Sequence, residues 1–190
     1  GLGDVYKRQV LITPDAERSL NTHLGISETL STDEVDEAAI KSSEWVYLEG
    51  YLVTSPSGHA AALKTKALAE AHGVNTAVSF SDPGMVKFFR DNMAAMVEGG
   101  VELVFCNESE ALEWGQCDDL DTAIEAIKSV ARRFVITLGA DGAQVVFPRF
   151  PRGKVYTTWA ASLLLGGLLG RVYRGHASTG ESVGRAPSRQ

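Results

Sequence analysis

Four short stretches of this chain combine residue types that can do chemistry. Asn107-Glu108-Ser109-Glu110 sets an amide and a carboxylate one helical turn apart, directly after an apolar run at 101–106. Asn107 suits a helix cap, and Glu110 returns to the same helix end one turn later. Aimed into a crevice, that carboxylate would hold Mg²⁺, directly or through water, because magnesium favours one or two carboxylates with waters and substrate phosphates. The plainer reading of the same residues is a capping box and nothing more. Thr137-Leu138-Gly139-Ala140-Asp141-Gly142 lies between two β-branched runs. Gly139 would let the backbone approach a nucleotide, and Thr137 would offer a hydroxyl to phosphate. Its plainer reading is a glycine hairpin turn. Thr137 follows Asn107 by 30 positions, and the two motifs together say more than either alone. Glu49-Gly50 and Ser81-Asp82-Pro83 each follow a strand-like run, and helix capping by Asp82 with Pro83 in the first turn accounts for the second of these.

Those stretches need elements to position them. Apolar, β-branched runs predict strands over 10–13, 45–48, 75–80, 101–105, 134–137 and 143–147, with 18–24 as hairpin partner of the first. Helical periodicity and caps predict helices opening at Ser31, over 57–72 closed by Gly73, over 82–97, over 107–114 and over 119–132. Strand and helix alternate with short links, so the fold class is α/β with parallel strands covered by helices over 10–147. Ligands of such sheets bind outside the carboxyl ends of the strands. That rule selects the loops at Glu49, Ser81, Asn107 and Thr137. The ends read differently. Residues 1–9, GLGDVYKRQ, resemble translated sequencing-adapter read-through and are set aside as a non-native leader. Residues 175–190, rich in Gly, Ser, Arg and Pro, are expected to be disordered.

A chain of 190 residues suits one domain with a sizeable core. Its net charge of −6 argues against general nucleic-acid binding, which needs excess Lys and Arg. It leaves room for a phosphate-bearing small ligand held by backbone N–H groups. No apolar run reaches the roughly 20 residues of a membrane span, and the start carries no signal-peptide pattern. Cys106 and Cys117 suggest neither a disulfide framework nor a zinc site, which makes a reducing cytoplasm the expectation. From Pro151 onward six basic residues face one acid, Glu181, so the acidic excess lies earlier. His59 and His72 read as solvated helix positions, His23 as a half-buried strand residue, and Cys106 as a small core residue. Asp118, Asp119 and Asp121 suit the positive end of the helix that follows them.

The pairing of Asn107/Glu110 with Thr137/Gly139/Gly142 resembles the PfkB or ribokinase family, whose N-x-x-E follows one strand and whose T-x-G-x-x-G turn follows the next. Similarity extends to Tyr47-Leu48-Glu49. It extends also to Leu20-Asn21-Thr22-His23-Leu24-Gly25, which looks like a segment of the bacterial adenosine-kinase-like branch. The resemblance implies a ribokinase-like three-layer fold, its mostly parallel central sheet flanked by helices and incomplete here. It implies transfer of the ATP γ-phosphoryl group to a hydroxymethyl group of a sugar or nucleoside, with ATP and Mg²⁺ as cofactors. Asn107, Thr137, Gly139 and Gly142 would then serve the nucleotide and Glu110 the metal. Glu49 and Asn21 would serve the substrate. Partners would be the small-molecule substrate, without nucleic acid or membrane, and a homodimer is an expectation for the intact parent.

Two departures narrow that implication. The family's glycine-rich substrate segment and lid strands would precede Val10, so an unpaired sheet edge is expected. The family's catalytic loop, D-T-x-G-A-G-D, falls on Val155-Tyr156-Thr157-Thr158-Trp159-Ala160-Ala161-Ser162. Ser162 stands where the catalytic aspartate belongs, and serine is no useful base near neutral pH. Trp159 stands where a glycine amide would approach phosphate. An alternative has 159–169 as a core helix unrelated to that loop. The domain is therefore read as 10–174, a partial kinase domain with no intact catalytic base and no expected turnover. The competing function is a non-catalytic, pseudokinase-like nucleotide-binding module. A Rossmann-type oxidoreductase is disfavoured by the lack of G-x-G-x-x-G after the first strand.

Overall fold

The computed structural model describes residues 7–14, 18–23, 25–147 and 150–155. A hairpin comes first: β1 (Lys7–Ile12) pairs antiparallel with β2 (Arg18–His23) in a sheet of its own. The expected strand pair is present, and β1 starts at Lys7, inside the segment that composition alone set aside.

The remaining strands form one sheet in the order β3 (Trp45–Glu49), β4 (Asn75–Ser79), β5 (Val101–Asn107), β6 (Ala131–Thr137), β7 (Ala143–Phe147), β8 (Phe150–Val155). β3 to β6 run parallel, while β7 and β8 return antiparallel. Among the described residues β3 is an edge, paired with β4 alone. The strands follow one another in sequence order, so right-handed crossovers put their connecting helices on the same face. The helices are α1 (Glu37–Lys41), α2 (Pro56–Ala71), α3 (Pro83–Phe88), α4 (Arg90–Val97), α5 (Glu108–Gly115) and α6 (Leu120–Lys128).

The alternation of side chains along each strand divides the core accordingly. Val78, Phe80, Val104, Cys106, Phe134 and Ile136 point to the helices, meeting Met93, Met96, Trp114 and Ile127 in the main cluster. Their neighbours Ala77, Leu103, Phe105, Val135 and Ala143 form a second apolar cluster with Trp45 and Tyr47. Phe80 and Phe134 are fully buried, each contributing about 1.5–3 kcal/mol by removal from water. The result is the expected α/β fold, with a mostly parallel sheet flanked by helices.

Helix starts follow the sequence cues. Ser55 accepts from Gly58 N at 3.1 Å, Asp82 from Gly84 N at 2.7 Å and Asp119 from Thr122 N at 2.9 Å. Gly73, at φ +67, follows the end of α2. Several boundaries depart from expectation: the helix expected to open at Ser31 is a single 3₁₀ turn over Thr32–Glu34, and α1 is capped separately by Asp36. The helix over 82–97 breaks at Phe89 (φ −121, ψ 34); beside the break, Arg90 reaches the end of α5 and Asn92 the turn before α2. The helix over 119–132 stops at Lys128, because Ala131 and Arg133 pair with Val101 and Leu103 in the sheet. An eighth strand continues past 147, where no strand was predicted. No helix among the described residues is long and apolar enough to cross a membrane.

Candidate active site

The register of the sheet brings the predicted residues into one row of loops. Asn107, the last residue of β5, pairs directly with Thr137, the last residue of β6. Glu49, at the end of β3, pairs with Ser79 at the end of β4. These carboxyl ends open into a cleft of about 180 Å³ lined by Ser79, Ser81, Phe105, Cys106, Asn107, Glu110, Val135 and Thr137. The thirty-residue separation of the two motifs thus becomes contact between neighbouring strands, because α5 and α6 fill the intervening crossover.

Asn107 and Glu110 form the capping box of the plainer reading. Asn107 Oδ1 accepts from Glu110 N at 2.8 Å, while Glu110 Oε2 accepts from Asn107 N at 2.9 Å. Asn107 Nδ2 adds a third bond to Glu110 Oε1 at 2.8 Å. This is a full capping box on α5. Yet Glu110 is only 5% exposed, a rare placement for a carboxylate. Burial pushes its pKa up to about 7, the Asn107 backbone bond opposes the rise, and the Asp82 carboxylate adds to it. Beside it, burial drives the Cys106 thiol well up, with the Glu110 charge adding to the effect.

On the other side of the cleft, Ser81 Oγ donates to Glu49 Oε2 at 3.0 Å and accepts from Gly50 N at 2.8 Å. The Tyr47 phenol lies next to this group. Burial raises its pKa to about 12, a hydrogen bond with Ser79 opposes the shift, and the carboxylates of Glu49 and Glu110 reinforce it. Gly50 is required for this approach: a Cβ there would stand 2.6 Å from Ser79 O and 2.7 Å from Phe80 O.

The remaining candidates fall as follows. Gly139 (φ +57) and Gly142 (φ +92) form a tight turn after Thr137, in which Leu138 N donates to Gly142 O at 2.8 Å. Both glycines hold the left-handed region that a residue with a Cβ rarely adopts. The backbone at Gly139 is open, with nothing within 4 Å of the position a Cβ would take. Asn21 is apart from the others. It sits exposed on the hairpin, opposite Gln9, and does not line the cleft. Ser162 and the whole stretch 156–162 lie outside the described residues, as does the tail 175–190. Ser79 and Phe105 were not singled out in the sequence. Both stand at strand carboxyl ends, and their register is the signal that would have found them.

His59 and His72 are tied up structurally. His59 Nε2 lies 3.0 Å from Asn92 O, and His72 Nε2 lies 2.8 Å from Glu37 Oε1. Among the described residues no group of three His, Cys, Asp or Glu side chains converges to hold a metal unaided. Glu110 lines the cleft and Asp82 lies near enough to raise its pKa; one cleft carboxylate suits an ion completed by waters and ligand phosphates. Both Glu110 oxygens already accept from Asn107, so an ion held through water preserves the cap where a directly bound one disrupts it.

The pattern of the pfkB family carbohydrate kinases matches residues 7–161. No curated protein matches the chain. Among solved structures, a probable sugar kinase from Rhizobium etli superposes with a TM-score of 0.76 at 27% identity, over 87% of this chain and 54% of that one. The adenosine kinase from Sinorhizobium meliloti gives 0.75 at 29% identity, over 87% of this chain and 55% of that one. A putative ribokinase II from E. coli, in complex with ATP and Mg²⁺, shares the fold at 17% identity with a TM-score of 0.66, over 79% of this chain and 50% of that one. The chain spans about half the length of the structures it matches. With the ribokinase-like fold, the row of loops and a family match over most of its length, the chain belongs to the pfkB family of carbohydrate kinases.

Proposed function

We propose that this chain carries the nucleotide and metal side of an ATP-dependent kinase for the hydroxymethyl group of a sugar or nucleoside, adenosine heading the acceptors. The observation that carries the reading is the direct pairing of Asn107 with Thr137 beside the buried Glu110. Two solved structures above 25% identity, a sugar kinase and an adenosine kinase by name, support the acceptor class. Magnesium, when bound, would neutralise charge on the transferring phosphates, where positioning and charge compensation dominate catalysis. Glu110 would hold that ion through water. Thr137 offers its hydroxyl to phosphate, and the 139–142 turn gives the backbone close access to the nucleotide. Glu49 would accept from substrate hydroxyls. Ser162 leaves the chain without a base for the acceptor proton, so turnover is absent. A cytoplasmic location and a homodimer of the intact parent belong to the same reading.

A second reading, a non-catalytic nucleotide-binding module, is favoured by Trp159 and Ser162 at the loop positions where glycine and aspartate belong. One experiment separates the two. Transfer of labelled γ-phosphate to adenosine or ribose is measured for the chain and for Ser162→Asp, alongside MgATP binding. Binding without transfer in the chain, and transfer gained in S162D, supports a kinase copy that has lost its base. Binding with no transfer in either supports the module. Loss of binding altogether overturns both.

A further inference from the structure

Ser81 holds a backbone conformation that its side chain disfavours. Its φ is +66, in the left-handed region where glycine sits without strain and other residues do not. Gln116 is the only other described non-glycine residue with positive φ, and it merely closes a helix. What serine brings to position 81 that glycine would not is a hydroxyl, and that hydroxyl is fully used. It accepts from Gly50 N at 2.8 Å and donates to Glu49 Oε2 at 3.0 Å. Ser81 N donates to Ser79 Oγ at 3.1 Å, and Tyr51 Oη donates to Ser81 O at 3.4 Å. The segment cannot shift toward β3 to relax, because Gly50 already packs against the carbonyls of Ser79 and Phe80.

We infer that Ser81 is a positioning residue: its hydroxyl fixes the Glu49 carboxylate at the carboxyl end of β3 so that it is presented to hydroxyls of the acceptor. This rests on the reading of Glu49 as the substrate acid. Ser81 Oγ and the Tyr47 hydroxyl both bear on the Glu49 carboxylate, and a carboxylate has lone pairs enough to receive a further donor. A vicinal diol, as in a ribose ring, is a ligand chemistry that rewards such a fixed acceptor. Strain at Ser81 is consistent with a local conformation held for a site rather than for the fold.

The test uses the full chain and two probes, adenosine and 2′,3′-dideoxyadenosine, titrated against the wild type, Ser81→Gly, Ser81→Ala and Glu49→Gln, with MgATP binding as a third readout. Ser81→Gly removes the hydroxyl and relieves the backbone strain, which offsets the acceptor lost by Gly50 N, so its melting temperature should fall less than that of Ser81→Ala. Ser81→Ala removes the hydroxyl and keeps the strain. The expected result is that both variants, like E49Q, weaken adenosine on the order of tenfold, the scale of one hydrogen bond to a charged group. They leave dideoxyadenosine and MgATP binding unchanged. If E49Q abolishes the preference for adenosine while S81G retains it in full, the positioning role is overturned and the reading of Glu49 stands. If the wild type shows no preference and E49Q changes nothing, the substrate role of Glu49 fails and the positioning role fails with it.

Discussion

Replacing Glu110 by Gln isolates the electrostatic cost of the buried carboxylate. In the fold its pKa rises from 4.5 to about 7, chiefly through burial, against the Asn107 backbone bond and with help from Asp82. The folded pKa is the raised one, so between pH 4.5 and about 7 the unfolded chain has lost this proton and the folded chain keeps it. Stability therefore falls as pH rises through that window. Above it, the ionised fold carries a penalty of about 3 kcal/mol from this group, at ~1.4 kcal/mol for each pH unit of separation. Between pH 5 and pH 7.5 the corresponding loss is about 2 kcal/mol. Glu110→Gln has no proton to release. It does leave one of the two Asn107 donors facing an amide N–H, a pH-independent loss of about 1–2 kcal/mol. Urea denaturation at the two pH values reads both quantities. E110Q should be less stable than the wild type at pH 5 and should recover about 2 kcal/mol relative to it by pH 7.5. Other titrating groups, including Glu34 and Asp119 with their lowered values, are common to both proteins and drop out of the difference. Parallel pH profiles for the two proteins would refute the buried-carboxylate argument.

Gly50→Ala should destabilise by at least roughly 3 kcal/mol, since its Cβ meets backbone carbonyl groups that cannot swing aside; the melting temperature should drop by about 10 °C, or the protein should fail to fold. Arg90 donates from Nη1 to Glu113 O at 3.1 Å and from Nη2 to Trp114 O at 2.7 Å, with its guanidinium 5.3 Å from the Trp114 ring centre. Arg90→Lys keeps the charge and loses the fork, so calorimetry should show a loss of about 1–2 kcal/mol, whereas an unchanged melting temperature would deny Arg90 its part in closing α5.

The local chemistry of this fold was legible where a residue acts on its own backbone. Asn107 with Glu110, Asp82 with Pro83, and Gly73 after α2 all do what their types dictate within one helical turn. The order of strands and helices, and hence the choice of loops for the site, followed from the same cues. What escaped depends on partners distant in sequence. Nothing in 119–132 announces that Ala131 will leave helix for strand; its pairing with Val101 decides that. The break at Phe89 goes with groups on α5 and before α2 that Arg90 and Asn92 reach across the fold. β8 carries Pro151 and Gly153, poor strand formers, and is a strand through its ladder with β7. The site divides in the same way. Glu110 was readable as a cap or a metal residue, but its burial was not. The link from Glu49 through Ser81 to Gly50 spans 31 positions between Gly50 and Ser81, and no spacing rule reaches it. Asn21, selected on family likeness alone, sits on the separate hairpin.

The most direct test of the account is to locate where MgATP binds on the ¹⁵N-labelled chain by following backbone amide resonances through a titration. The account predicts that the largest shifts fall on the amides of 107–110 and 137–142, are displaced by MgADP, and are lost in Glu110→Gln. Shifts centred instead on another concavity among the described residues, around 87–92 at the α3–α4 break, or no saturable shifts at the ends of β5 and β6, would contradict it.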